Sequence, residues 1–199
     1  MKFRKYDILI LREEKVTIML LGIIVVLAIL ALFVISNYNG LVQARNKVRD
    51  QFSQIDVQLK KRADLIPNLV ETVKGYAKHE EGTLENVIKA RNTYLTADSV
   101  DAKVEASSEM SSAISKLFAL AESYPDLKAN TNFLDLQNQL KEIEDKIGYA
   151  RQFYNDAVLM YNNKTEMFPS SIIASLFNFK TEKFFEASEE DRKNVEVKF

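Results

Sequence analysis

The chain has no cysteine, no tryptophan, one histidine, and only five glycines and three prolines among its 199 residues. Without cysteine there can be no disulfide, no thiolate-bound zinc or iron–sulfur centre, and no thiol nucleophile. Any Ser–His or histidine-cluster site would have to use His79. Such scarce turn residues argue against a barrel or a sandwich. The near balance of 27 basic and 28 acidic residues offers no electrostatic footprint for nucleic acid.

One long apolar run lies near the start of the chain. Val16–Ile35 is twenty residues without a charge, and at ~1.5 Å per residue it covers ~30 Å, the hydrocarbon thickness of a bilayer. The alternative is a cleaved signal peptide, whose apolar core is normally only ~7–15 residues long. We therefore favour a retained signal-anchor over residues 16–36. Because no second run of this length exists, the sequence predicts a single-pass protein of the cell membrane.

The charges that flank this run bear on its orientation. Five basic residues precede it and three follow it closely, which places the amino terminus in the cytoplasm by the positive-inside rule. The rest of the chain would then lie on the extracytoplasmic side. The two groups are Lys2, Arg4, Lys5, Arg12 and Lys15, and Arg45, Lys47 and Arg49.

The rest of the chain shows the heptad spacing of coiled-coil helices, with apolar positions three and four residues apart. We call each such set of positions a seam. The first, third and fourth seams along the chain are regular, and the second is less regular. In chain order they are Tyr38, Leu41, Arg45, Val48, Phe52, Ile55, Leu59, Arg62 and Ile66; Val70, Ala77, Leu84, Ile88, Arg91 and Leu95; Ser107, Met110, Ile114, Leu117, Ala121 and Tyr124; and Phe133, Leu136, Leu140, Ile143, Ile147, Ala150, Tyr154, Ala157 and Tyr161.

Helix breaks are expected between the seams. Pro67 is expected to stop or kink the first helix, with Asp64 capping a helix that starts at the proline. Residues 78–83 either break the second helix or form a polar layer within it. Residues 96–99 separate the second and third helices. Pro125 ends the third, with Thr131 or Asn132 as the cap of the fourth.

Four helices with short connections predict an all-α fold, in which an N-terminal single transmembrane helix is followed by an antiparallel up-down-up-down four-helix bundle. The expected organisation is a basic N-terminal tail at 1–15, the transmembrane helix at 16–36 and the bundle at 37–165. A short apolar amphipathic segment at 166–185 and a charged tail at 186–199 complete it.

No enzymatic signature is present: we find no glycine-rich phosphate loop, His-Glu-x-x-His motif, nucleophile elbow or EF-hand. We therefore expect no catalytic, cofactor-binding or metal-binding residues and no cofactor. His79, Glu80 and Glu81 could join a metal site, but a polar turn is the favoured interpretation because a metal needs several converging ligands.

Three arginines occupy seam positions, namely Arg45, Arg62 and Arg91. Their long stems could carry the charge to the edge of the bundle. Alternatively, at least one could pair with a buried acid on a facing helix, with Glu122, Glu144 and Asp156 as candidates. A ligand-binding role is the weaker alternative.

The segment after the fourth helix is unusually apolar. Ile172, Ile173, Leu176 and Phe177 share one helical face, and Pro169 suits a first turn. In the predicted topology this segment returns to the membrane-proximal end. It either folds back against the base of the bundle, the favoured interpretation, or lies on lipid headgroups.

Several longer motifs resemble the LemA family. They include Gln54–Glu80, with Arg62, Asp64 and Pro67; Ala90-Arg91; Ala121–Asn130; Tyr149–Val158; and Phe168-Pro-Ser170. The resemblance runs from the anchor to about Phe185 and implies an N-terminal transmembrane helix and a four-helix bundle, with no established catalytic residues. It also implies a short amino terminus outside the cell, in conflict with the charge count, and a start at Met19 would remove most of that count.

The expected function is that of a non-enzymatic scaffold or interaction module at the bacterial cytoplasmic membrane. The lipid bilayer is a partner through residues 16–36, nucleic acid is not a partner, and protein partners and homo-oligomerisation are left open. The alternative is an accessory component of a membrane-protein quality-control or envelope-stress system. A metal-dependent enzyme is less favoured.

Overall fold

A computed structural model of the chain describes residues 3–185, with side chains described from residue 15 onward. The charged tail predicted at 186–199 lies outside that range, and the predicted basic tail at 1–15 is described in its backbone from residue 3. The helices are α1 (Phe3–Lys74), α2 (Glu81–Thr96), α3 (Val100–Ala121), α4 (Pro125–Lys128), α5 (Thr131–Glu166) and α6 (Ser170–Leu176). The fold is all-α, as predicted.

The chain divides into two compact units. The first, here the anchor unit, comprises Met1–Asn46 and Met160–Glu182. The second, here the packed unit, comprises Lys47–Leu159 and Lys183–Phe199.

The anchor unit contains the apolar run inside the long helix α1. This helix is long and apolar enough to cross a membrane, and its most apolar stretch has no residue buried against the protein. Large side chains such as Ile18, Leu21 and Leu32 are 64–71% exposed. Away from the run, the same unit buries Leu41, Tyr161, Thr165, Ile173, Ala174 and Phe179.

Four helical segments pack together in the packed unit, and three pairs of contacts show that neighbours along the chain run in opposite directions. α2 is antiparallel to α1, since Tyr94 bonds to Asp56 and Arg91 bonds farther along α1, to Ala63. α3 runs back parallel to α1, because Lys103 meets Asp56 and Ser111 meets Arg62. α5 is antiparallel again, with Phe52 against Tyr154 and Arg62 against Glu144. The predicted up-down-up-down topology is confirmed.

The seam of α5 is predicted correctly at every position, since all nine residues from Phe133 to Tyr161 are buried. On α3 the five positions from Ser107 to Ala121 are buried as well. The first seam is buried from Leu41 to Ile66 except at Arg45 and Phe52, which are half-buried, and Tyr38 is 37% exposed.

The seam predicted for α2 is wrong in part. The buried residues are Leu84, Val87, Ala90 and Tyr94, whereas Ile88 and Leu95 are 42% and 41% exposed. The predicted positions Val70, Ala77 and Leu84 are buried, so the error begins within α2, where Val87 is buried in place of Ile88. Of the two interpretations of residues 78–83, the break is the correct one.

Of the two effects expected of Pro67, the stop is wrong, because α1 continues through this exposed proline to Lys74. Asp64 caps no helix and instead pairs with Lys60 one turn earlier. The apolar face continues past the proline, where Leu69 and Val73 are fully buried. Burial of this last stretch favours a continued helix over a break.

Two helix starts are fixed by side-chain caps. The Ser99 hydroxyl accepts a hydrogen bond from the Ala102 N–H at 3.1 Å and begins α3 within the predicted connection. At the start of α5 the cap is Asn130, which accepts from the Phe133 N–H at 3.0 Å, so the predicted caps Thr131 and Asn132 are wrong. Pro125 opens the short helix α4.

Candidate functional site

The three seam arginines have three different environments. Arg62 is 5% exposed, and its Nη1 lies 2.8 Å from a carboxylate oxygen of Glu144 and 2.8 Å from the Ser111 hydroxyl. The buried-pair interpretation is therefore right for Arg62, and Glu144 is the correct partner among the candidates. Burial lowers the pKa of Arg62, while the charge of Glu144 opposes this shift. The guanidinium stays ionised because the ordinary pKa of arginine lies far above neutral pH.

Arg91 donates from Nε to the backbone carbonyl of Ala63 at 2.8 Å. This carbonyl is four residues before Pro67, so it is the acceptor that an N–H at position 67 would bond in a regular helix. Proline has no N–H, and Arg91 supplies the missing hydrogen bond. The contact explains how α1 tolerates Pro67 while Ala63 is fully buried.

Arg45 belongs to the anchor unit, where its guanidinium lies 4.9 Å from the centre of the Phe179 ring. This is a cation–π contact. None of the three arginines is thus a simple surface residue: one pairs with an acid, one completes a helix and one stacks on a ring.

A second polar cluster ties α1 to α2 and α3 in the packed unit. The Asp56 carboxylate accepts from Lys103 Nζ at 2.7 and 2.8 Å and from the Tyr94 hydroxyl at 2.8 Å. Burial raises the pKa of Tyr94, and the hydrogen bond to Asp56 and its charge raise it further. No pattern in the sequence distinguishes these residues from other polar residues, because they come together only when the helices pack.

Beside the Arg62–Glu144 pair lies a cavity of about 690 Å³, bounded by α1, α3 and α5. It is lined by both members of the pair, by Lys141 and Arg151, and by four serines of α3: Ser108, Ser111, Ser112 and Ser115. Ser108 and Ser111 also bond to backbone carbonyls of their own helix. The lining thus combines hydroxyl groups, three cations and two acids, Glu109 and Glu144, with the apolar side chains of Ile114, Phe118 and Leu140.

The residues considered for a metal site lie apart from this cavity. His79 is exposed in the turn between α1 and α2, and Glu80 accepts a hydrogen bond from the Tyr124 hydroxyl at 3.2 Å. Among the described residues, no three His, Asp or Glu side chains converge as metal ligands would.

The segment after α6 is held by asparagine side chains in an arrangement that the sequence did not reveal. In the packed unit, Asn155 donates from Nδ2 to the Phe185 carbonyl at 3.0 Å and accepts from the Phe185 N–H at 2.7 Å. We call this reciprocal pair the asparagine clamp. Tyr154 donates to the Lys183 carbonyl at 3.1 Å, and Arg151 lies 4.4 Å from the centre of the Phe185 ring. The motif Tyr149–Val158 therefore carries the residues that hold the returning chain.

The anchor unit repeats the arrangement one heptad later. Asn162 donates to the Glu182 carbonyl and accepts from the Glu182 N–H, each at 2.9 Å. The only sequence signal was the seven-residue spacing of the two asparagines beside the buried seam of α5.

Comparison with known proteins gives the same family as the motifs. The LemA family model matches residues 51–199. Protein LemA of Metamycoplasma hominis is 27% identical over 161 residues, which is 80% of this chain and 73% of that protein. Magnetosome protein MamQ 2 of Paramagnetospirillum magneticum is 23% identical over 195 residues, covering 85% of this chain and 71% of the relative. MamQ of Magnetospirillum gryphiswaldense is 20% identical over 174 residues, 74% of this chain and 64% of its own length. The chain belongs to the LemA family.

Proposed function

We propose that this chain is a membrane-anchored helical interaction module of the bacterial cytoplasmic membrane and not an enzyme. The observation that carries the anchoring is the uncovered apolar stretch of α1, where no residue is buried against the protein. A stretch of this size left in water would be strongly unfavourable, and a bilayer is the environment that suits its length.

The arrangement of the polar groups supports a non-enzymatic role. Three polar side chains are each held by a contact with another helix. Arg62 pairs with Glu144, Asp56 pairs with Lys103, and Arg91 bonds to the Ala63 carbonyl. Such cross-helix contacts fix the register of a bundle. They hold these side chains in structural contacts, whereas a general base or nucleophile must reach a substrate.

Anchoring is tested by alkaline carbonate extraction of membranes that contain the full chain. We expect the protein in the membrane pellet, and we expect the Leu27→Arg/Leu30→Arg double variant in the supernatant or degraded. A matched control is the Lys47→Arg/Lys60→Arg variant, which leaves the apolar run intact. Wild-type protein that is released by carbonate would refute the anchor.

An extracytoplasmic packed unit is part of the proposal, on the basis of the five basic residues before the apolar run. Protease added to spheroplasts should cleave the packed unit of the full chain, and a cytoplasmic marker protein should stay intact. Protection of this unit until the spheroplasts are lysed would place it in the cytoplasm and contradict the proposed orientation.

The interaction role is tested by cross-linked affinity capture of the full chain from membranes. Tyr149 and Phe153 lie one turn apart on α5 and are 66% and 59% exposed, so replacing both with serine alters a surface while leaving the core intact. We expect a partner captured by wild type to be lost from this variant and retained by the Ile88→Ser/Leu95→Ser control. A membrane protease among the specifically captured proteins would favour the quality-control alternative, and stoichiometric metal in the purified protein would favour an enzyme.

A further inference from the structure

The short helix α6 and the turn before it expose an unusual amount of apolar surface. Phe168 is 80% exposed, Leu176 70%, Met167 63% and Ile172 58%. Ile172 and Leu176 are one helical turn apart and therefore lie on the same side of α6. Single exposed apolar residues are ordinary on a protein surface, but a cluster of large ones marks a contact surface.

The opposite side of α6 is packed within the anchor unit. Ile173 and Ala174 are 3% and 1% exposed. The predicted common face of Ile172, Ile173, Leu176 and Phe177 is therefore divided, with Ile173 inward and the other three outward. The two interpretations of this segment each hold in part: one side folds back against the protein, and the other remains uncovered.

Tyr38 fixes where this surface lies along α1. Its ring is 4.9 Å from the Phe177 ring and 5.7 Å from the Phe179 ring, both in edge-to-face geometry. Tyr38 follows the last residue of the apolar run, Ile35, by three residues, which is ~4.5 Å along the helix axis. α6 is thereby held beside the point where α1 would leave the hydrocarbon.

The end of α6 is shaped to keep this contact. Asn178 has a positive φ of 56°, Phe179 N–H bonds to the Ala174 carbonyl at 2.9 Å, and Asn178 N–H bonds to the Ser175 carbonyl at 3.3 Å. These two bonds form a Schellman motif, which reverses the chain after a helix. The motif brings Phe179 back under Tyr38, where it is 9% exposed.

The charges nearby suit a lipid surface. Within residues 36–46 and 160–182 there are three cations, Arg45, Lys164 and Lys180, and two acids, Glu166 and Glu182. Arg45 lies over the Phe179 ring and Lys164 donates to the Gly40 carbonyl at 3.2 Å, whereas Lys180 is exposed and is a cation that can reach a lipid phosphate.

We propose that the exposed side of α6, formed by Met167, Phe168, Ile172 and Leu176, lies in the headgroup–acyl boundary of the bilayer that α1 crosses. The proposal rests on the membrane anchor proposed above and adds a second, interfacial contact. An amphipathic helix in such a contact buries its apolar side ~5–10 Å into the boundary. Lipid, and not a second protein, is the occupant because the surface directly adjoins the end of the apolar run.

Tryptophan fluorescence tests the proposal, because the chain has no tryptophan and a single introduced one reports only its own position. The full-length Leu176→Trp variant is reconstituted in phosphatidylcholine–phosphatidylglycerol vesicles whose lipids carry bromine either near the headgroup or near the bilayer centre. We expect blue-shifted emission that shallow bromines quench more than deep ones. The Phe168→Trp variant should behave in the same way, so the result does not depend on one substitution.

Two further variants separate this proposal from the anchor itself. The Leu27→Trp variant lies within the apolar run and should be quenched most by deep bromines. In the Tyr76→Trp variant the reporter lies in the packed unit, at a position that is 42% exposed, and should emit at longer wavelength without quenching. Quenching of Leu27→Trp but not of Leu176→Trp or Phe168→Trp would overturn the α6 proposal and leave the anchor standing.

The emission wavelength identifies what covers α6 if lipid does not. Unquenched, blue-shifted emission from the Leu176→Trp variant would mean that protein covers the surface, and unquenched, red-shifted emission would mean that it faces water. Either result overturns the proposal. Absence of quenching at Leu27→Trp as well would overturn the anchor.

Discussion

Arg91 Nε donates a hydrogen bond to the Ala63 carbonyl at 2.8 Å, at the position where Pro67 cannot. The Arg91→Met variant keeps the apolar stem and removes the donor, so a buried carbonyl loses its partner. We expect the free energy of unfolding to fall by about 1–3 kcal/mol. It would be measured by denaturant titration of the full chain in detergent, with the exposed Arg49→Met as the matched control.

The same relationship predicts a coupling. In the Pro67→Ala background the backbone N–H of residue 67 can bond to the Ala63 carbonyl. The Arg91→Met substitution should therefore lower the free energy of unfolding by at least about 1 kcal/mol less in this background than in the wild type. Additive effects of the two substitutions would show that Arg91 stabilises the protein by another contact.

The Arg62–Glu144 pair should be sensitive to loss of its acid. Glu144→Gln leaves the Arg62 cation buried without its counter-charge, and because the Glu144 side chain is 45% exposed, water softens the loss to about 1–3 kcal/mol. The control is Glu142→Gln on the same helix. Glu142 pairs with the exposed Lys146, so its replacement should change the free energy of unfolding no more than marginally. Equal effects of the two substitutions would argue that the pair contributes no more than a surface ion pair.

The asparagine clamp should govern how tightly the chain around Phe185 is held. Asn155→Ala removes two hydrogen bonds, each worth about 0.5–1.5 kcal/mol net. We expect about tenfold faster tryptic cleavage after Lys183 for each 1.4 kcal/mol lost from local stability, together with loss of hydrogen-exchange protection at the Phe185 amide. The exposed Asn138→Ala on the same helix should leave both unchanged.

Tyr94 should make the packed unit sensitive to alkali. The pKa of Tyr94 is raised in the folded protein above the ordinary value of 10.0. The contribution of Tyr94 to the free energy of unfolding is therefore fully present below about pH 10 and is lost as the pH rises through the folded pKa. The limiting slope is about 1.4 kcal/mol per pH unit. Unfolding free energies between about pH 9 and 11 would show this fall. The Tyr94→Phe variant should flatten it, and the exposed Tyr149→Phe should not.

The sequence predicted most reliably those features that repeat. The seam of α5 could be identified because nine apolar positions follow one spacing without a break. The seam of α2 could not, because Val87 and Ile88 fit the pattern about equally well and only packing against the other helices buries the first and exposes the second.

Features that depend on a distant partner were harder to predict. The pairing of Arg62 was one of three stated alternatives, since a cation on an apolar seam can pair, reach the edge of the bundle or bind a ligand. The passage of α1 through Pro67 without a stop was missed because the compensating donor, on Arg91, is 28 residues from the Ala63 carbonyl that it serves. The role of Asn155 depends on where the chain returns after α6, which no local pattern encodes.

The asparagine clamp has a consequence for how sequences of this kind can change. The Asn155 side chain bonds to the main-chain N–H and C=O of Phe185, so these two hydrogen bonds do not require a particular side chain at residue 185. Substitutions at exposed positions of the returning segment, such as Thr181, therefore leave this attachment in place. Changes at Phe179 and Phe185 are less well tolerated, because both side chains are buried and each lies against an arginine.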